Sequence, residues 1–94
     1  MSSRAVDADS VPGLARGVKL RFDQVREAWV LLAPERVLMP DEIAVEILKR
    51  CDGKATVAAI ALDLARTFEA EPAQVEGDVR AFVQDLADKG MLAL

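Results

Sequence analysis

The twelve residues WVLLAPERVLMP, positions 29–40, constrain this chain more than any other stretch. Five apolar residues run up to Pro34, three more follow Glu35 and Arg36, and Pro40 stops the run. Ala33-Pro34-Glu35 reads as a tight turn, because proline pre-sets the backbone of its first central position. Two short strands joined so tightly pair antiparallel. The first, EAWVLL over residues 27–32, is apolar on both faces and suits a central strand. The second, RVLM over residues 36–39, then lies at an edge. Upstream, VKLRFD over residues 18–23 alternates, with Val18, Leu20 and Phe22 on one face and Lys19, Arg21 and Asp23 on the other. That is the period of a strand with one wet face. The three strands make an antiparallel meander.

The chain changes period after Pro40. Asp41 is a good N-cap, and Ile43, Ile47, Leu48 and Cys51 follow at helical spacing until Asp52-Gly53. Thr56 opens a second helix with the stripe Val57, Ile60, Ala61, Leu64 and Phe68. Glu71-Pro72 opens a third, with the stripe Val75, Val79, Phe82, Val83 and Leu86, ended by Gly90. The fold class expected is α+β, βββααα: a small winged-helix-like domain over residues 14–94. Residues 1–13 are small and polar without periodicity, and are expected to form a flexible N-terminal tail.

The side-chain inventory excludes most chemistry. The chain has no histidine, no tyrosine and one cysteine, so neither a metal site nor a disulfide is expected. Its five glycines are isolated, so no phosphate-cradling loop is present. Asp63, Glu69, Glu76, Asp78, Asp85 and Asp88 fall mostly on polar helix faces. Cys51 lies beside Leu48 on an apolar face and reads as a buried thiol. No catalytic residue and no cofactor are expected. No apolar run approaches the ~20 residues of a membrane span, and no apolar signal core precedes the domain, so the chain is expected in the cytoplasm without a membrane partner.

Three helices beside a small sheet also fit a winged-helix DNA-binding transcriptional regulator. Such a protein needs a basic recognition helix, because phosphate contacts dominate its affinity. PAQVEGDVRAFVQDLADK, residues 72–89, carries four acids against two bases. Residues 1–39 carry six basic and five acidic residues, and residues 40–94 six and eleven, so the halves are +1 and −5, summing to −4. That distribution argues against nucleic acid. Lys19 and Arg21, on the wet face of the first strand, are the expected contact for a protein partner.

The edge strand holds the functional clue. Exposed edges are normally blunted by charge or proline, yet RVLM has only Arg36 and the terminating Pro40. Such an edge suits a peptide that adds as a further strand. The chain is expected to be a monomer, with the same edge the route by which two copies could pair.

With VKLRFD…REAWVLLAPERV, EILKRCDG, TVAAIALDLARTF and VEGDVRAFVQDLADKGML, the chain resembles the PqqD family, small peptide chaperones of pyrroloquinoline quinone biosynthesis. The resemblance covers residues 12–94, and LLAPE followed at this distance by CDG is its most specific part. Pro40 departs from it, standing where a leucine-like residue is expected. The resemblance implies a winged-helix-like recognition element without catalytic activity. It implies binding of the ribosomal precursor peptide PqqA and its delivery to the radical S-adenosylmethionine enzyme PqqE, which joins a glutamate to a tyrosine in that peptide. It places the peptide between a strand wall of Arg36, Val37, Leu38 and Met39 and a helix wall drawn from Val75, Val79, Phe82, Val83 and Leu86.

Overall fold

A computed structural model describes residues 5–94. The elements run β1 (Gly13–Leu14), β2 (Lys19–Asp23), β3 (Ala28–Ala33), β4 (Arg36–Leu38), α1 (Glu42–Arg50), α2 (Val57–Thr67), α3 (Pro72–Asp88) and β5 (Leu92–Ala93). The meander has the order β2-β3-β4, antiparallel throughout, so the apolar β3 is central and β4 is an edge. This is the expected α+β, winged-helix-like arrangement.

The sheet turns Val18, Leu20, Leu31 and Leu38 onto the helices. Leu31, Ile60, Met91, Val57, Val79 and Val83 are each at most 2% exposed, and among the described residues no polar or charged residue is buried. Asp41 caps α1 by accepting the Ala44 N–H at 2.8 Å, and Thr56 caps α2 by accepting the Ala59 N–H at 3.1 Å. Pro72 occupies the first turn of α3, where its missing N–H costs no hydrogen bond.

The expected stripes shift at their margins. Ile43 is 51% exposed, and α1 buries Ala44, Val45, Ile47 and Leu48 instead. One residue step rotates a helix by about 100°, which moves Ile43 to the border of a stripe centred on Ala44, Leu48 and Cys51. Phe68 is the C-cap of α2, past its last turn, and is 42% exposed. Phe22, at the end of β2, is also exposed; its ring meets Trp29 edge-to-face at 5.6 Å.

The largest departure lies at the N-terminus. The expected tail covers residues 1–13; residues 1–4 lie outside the described residues, and from residue 5 the segment lies against the domain. Val57 N–H donates to Ser10 O at 2.8 Å and Ala58 N–H to Ala8 O at 3.0 Å. The first turn of α2 thus finds acceptors for N–H groups that a helix leaves unsatisfied. Pro12 is fully buried, and its carbonyl accepts the Gly53 N–H at 3.0 Å. Gly13 then pairs with Ala93, and Leu14 with Leu92, in a two-stranded sheet absent from the expected topology. The crossing needs glycine at both levels: a Cβ on Gly13 would lie 3.1 Å from the Gly53 backbone, and Gly53 has φ +78°.

Candidate functional site

The path of β4 follows from its turn. The ladder pairs Ala33 with Arg36, Leu32 with Val37 and Leu31 with Leu38 across the two-residue Pro34-Glu35 connection. A connection of that length closes on a hydrogen-bonded pair, and antiparallel pairs alternate. Ala33–Arg36 and Leu31–Leu38 are therefore the bonded pairs. Val37 turns its own N–H and C=O away from β3, toward the open edge. Pro40 follows closely, and β4 ends at Leu38, one residue short of the expected Met39.

Beside that edge runs an open groove of about 210 Å³ between the end of β4 and the C-terminal half of α3. Leu31, Ala44 and Leu48 form its floor; Leu38, Met39 and Pro40 form one wall; Phe82 and Leu86 form the other. Asp85 and Lys89 sit at its rim, 3.0 Å apart. Drug-sized ligands need cavities of roughly 300–1,000 Å³, so the groove suits side chains descending from a chain laid along β4 better than a whole small molecule.

The structure divides the expected site residues. Leu38, Met39, Phe82 and Leu86 meet in the groove. Val79 and Val83 are 1% and 0% exposed and belong to the core, and Val75 packs half-buried against it. Val37 is 55% exposed on the opposite face of the sheet, so its backbone rather than its side chain faces an added strand. Arg36 is exposed and lines a neighbouring hollow. Lys19 and Arg21 are exposed on β2, the other edge of the meander. Sequence reasoning missed Leu31, Pro40, Ala44, Leu48, Asp85 and Lys89. A second stripe on the third helix, Phe82, Asp85, Leu86 and Lys89 at i, i+3, i+4 and i+7, was the available signal.

The chain's one cysteine lies in the core. Burial, and secondarily Asp52, pushes the Cys51 thiol up to about 12, and the thiol donates to Ile47 O at 3.2 Å. It is a protonated core group that does not itself line the groove. Among the described residues, no three His, Cys, Asp or Glu side chains converge as metal ligands, and no helix is long and apolar enough to cross a membrane.

An open strand edge beside an apolar groove, on a winged-helix-like frame, is the architecture of a small peptide-recognition domain. Residues 28–92 match the family described as Coenzyme PQQ synthesis protein D (PqqD), and the chain belongs to that family. It is 56% identical to a PqqA binding protein of Rhodopseudomonas palustris strain HaA2, across 98% of this chain and 92% of that one. The solution structure of the PqqD part of Methylobacterium extorquens PqqCD, described as a functional, stand-alone recognition element for ribosomally made, modified peptides, superposes with a TM-score of 0.82. It shares 47% identity, with 96% of each chain covered. The lasso peptide synthetase B1 solved with its leader peptide has the same fold, with a TM-score of 0.76 at 22% identity over 90% of this chain and all of that one.

Proposed function

We propose that this chain binds the precursor peptide PqqA as a fourth strand on β4 and presents it to the radical S-adenosylmethionine enzyme PqqE in the cytoplasm, with no catalytic step of its own. The outward N–H and C=O of Val37 supply the pairing groups. Alternate side chains of the peptide descend into the groove between Leu38 and Met39 on one side and Phe82 and Leu86 on the other. The carrying observation is that open edge standing beside an apolar groove in a chain so similar to a PqqA binding protein. The radical chemistry belongs to the enzyme; this domain contributes position and local concentration.

Lys19 and Arg21 are assigned to the enzyme rather than the peptide, since they stand on the edge strand opposite β4. A DNA-binding reading finds little support: α3 carries Glu76, Asp78, Asp85 and Asp88 against Arg80, a surface that repels phosphate.

Titrating the labelled chain with PqqA while following amide chemical shifts tests the proposal. Shifts should concentrate on residues 36–40 and 82–89. Shifts confined to α1 and α2 would overturn it. A companion assay, PqqE cross-linking of PqqA with and without this chain, tests presentation; equal rates at limiting peptide would refute that step.

A further inference from the structure

A second hollow, of about 310 Å³, lies beside the groove at the β3–β4 turn. Arg16, Arg36 and Lys89 line it, with Glu35 as the single carboxylate among its lining residues. Lys89 lines both spaces, so groove and hollow adjoin at that side chain. Lys89 is already paired with Asp85, but Arg16 and Arg36 make no ion pair with any described residue, and both are exposed. The hollow thus carries three cations against one lining carboxylate on a molecule whose net charge is −4.

The cations come from three places: the loop before β2, the first residue of β4, and the residue capping the end of α3. The fold gathers them where a strand laid along β4 must leave the groove. The groove lies beside Leu38–Pro40 and the hollow beside Pro34–Arg36, so such a strand passes from one to the other in either chain direction. Leu38 and Arg36 share a face of β4, so the side chains that enter the groove and those that reach the hollow alternate in phase.

We infer that the hollow is a carboxylate subsite, in which Arg16 and Arg36 take an acidic residue of the same bound peptide, flanking the segment paired with β4. Guanidinium groups suit this task because their planar fork matches a carboxylate with two parallel hydrogen bonds. Glu35 and the Asp85–Lys89 pair bound the subsite, and Glu35 is the one lining group that opposes a carboxylate there. The inference rests on the groove reading above and adds a register to it: the apolar anchors of the peptide lie a short distance from an Asp or Glu.

The test is a double-mutant cycle on the intact chain. PqqA, and PqqA variants with each Asp or Glu changed singly to Asn or Gln, are titrated against wild type and against Arg16→Gln/Arg36→Gln at low and moderate salt. Unfolding curves confirm that both proteins fold. The double variant should bind PqqA about 3- to 10-fold more weakly at low salt, with a flatter salt dependence. One amide-bearing peptide should show a similar loss against wild type and no further loss against the variant. Unchanged affinity and salt slope, or a loss coupled to none of the peptide carboxylates, would overturn the subsite. A defect confined to enzyme association would do so as well, giving the hollow to an acidic surface of the enzyme. Met39→Glu separates the two readings: if it abolishes binding while the arginine variant does not, only the subsite fails; if it too leaves binding intact, the groove reading fails.

Discussion

Val37 stands opposite Leu32 in a non-hydrogen-bonded pair of the ladder, so its amide and carbonyl face outward, while the next residue, Leu38, is bonded to Leu31. Two adjacent residues therefore give opposite answers to one substitution. Val37→Pro removes an N–H that the sheet does not use, on an edge strand that tolerates proline. It should leave the thermal midpoint nearly unchanged and weaken peptide binding about 3- to 10-fold, the loss of one hydrogen bond. Leu38→Pro removes a ladder bond and should lower stability by about 3 kcal/mol. Calorimetric titration and thermal unfolding of the two variants decide the matter; the reverse pattern would mean that the register is shifted by one residue.

Groove wall and core are separable on α3 and β4 in the same way. Met39 is 55% exposed, so Met39→Glu should cost little stability and remove most peptide affinity by placing a charge on the apolar wall. Val83 is fully buried, so Val83→Ala should lower stability by about 1–3 kcal/mol and change affinity only as far as the fold is lost. Denaturant unfolding alongside peptide titration distinguishes them. A Val83 variant that stayed stable but lost binding would place that side chain in the groove.

The contrast shows what spacing can and cannot reveal. The stripe from Val75 to Leu86 was legible because burial repeats every three or four residues, yet the same stripe had to serve both the core and the groove. Only the position of α3 against β4 assigns Val79 and Val83 to one and Phe82 and Leu86 to both margins. The caps Asp41 and Thr56, the central β3 and the open β4 edge were legible because each rests on local chemistry. The anchoring of residues 5–14 was not. Its bonds are made by the backbone carbonyls of Ala8, Ser10 and Pro12, which leave no side-chain pattern. The basic hollow escaped notice because residues 16, 36 and 89 are distant in sequence and meet only through the fold.

That anchoring yields a prediction of its own. Removing residues 1–11 takes away the acceptors of the Val57 and Ala58 N–H groups and uncovers the first turn of α2. Stability should fall by about 1–3 kcal/mol, and the thermal midpoint by roughly 5–15 °C for a domain of this size. Peptide affinity measured well below the midpoint should persist, because none of residues 5–11 lines the groove. An unchanged midpoint would reduce the segment to a dispensable tail.

Cys51 sets a pH dependence. Its thiol is raised from 9.0 to about 12 in the folded chain, first by burial and then by Asp52. As pH rises, the unfolded chain loses the proton first, so this contribution is whole below about pH 9 and is lost between pH 9 and pH 12. The slope there reaches about 1.4 kcal/mol per pH unit. Cys51→Ala should be less stable at pH 7 by roughly 0.5–3 kcal/mol, but without that slope the gap to wild type should narrow above pH 9. Urea unfolding of both proteins at pH 7, 9.5 and 10.5 measures it. A constant gap would mean that the thiol is not protected by burial.

Lys19 and Arg21 test the division of labour between the two sheet edges. Both are exposed on β2, on the sheet face that carries Val30 and Leu32 rather than the face packed on the helices. Exposed charges act mainly on encounter rates, and they do so over distances set by salt. Lys19→Gln/Arg21→Gln should therefore slow association with PqqE severalfold at low salt and flatten the salt dependence of that rate. It should leave PqqA affinity unchanged, because the proposed peptide strand lies across the sheet on β4 and its proposed cationic subsite is at Arg16 and Arg36. Stability should change by less than about 1 kcal/mol, as expected for exposed charges. Stopped-flow association at two salt concentrations, with peptide alone and then with enzyme, separates the two partners. Were the double variant to lose peptide affinity and keep its enzyme on-rate, the assignment of the two edges would be reversed; were both rates unchanged at low salt, Lys19 and Arg21 would be a solvated strand face with no partner.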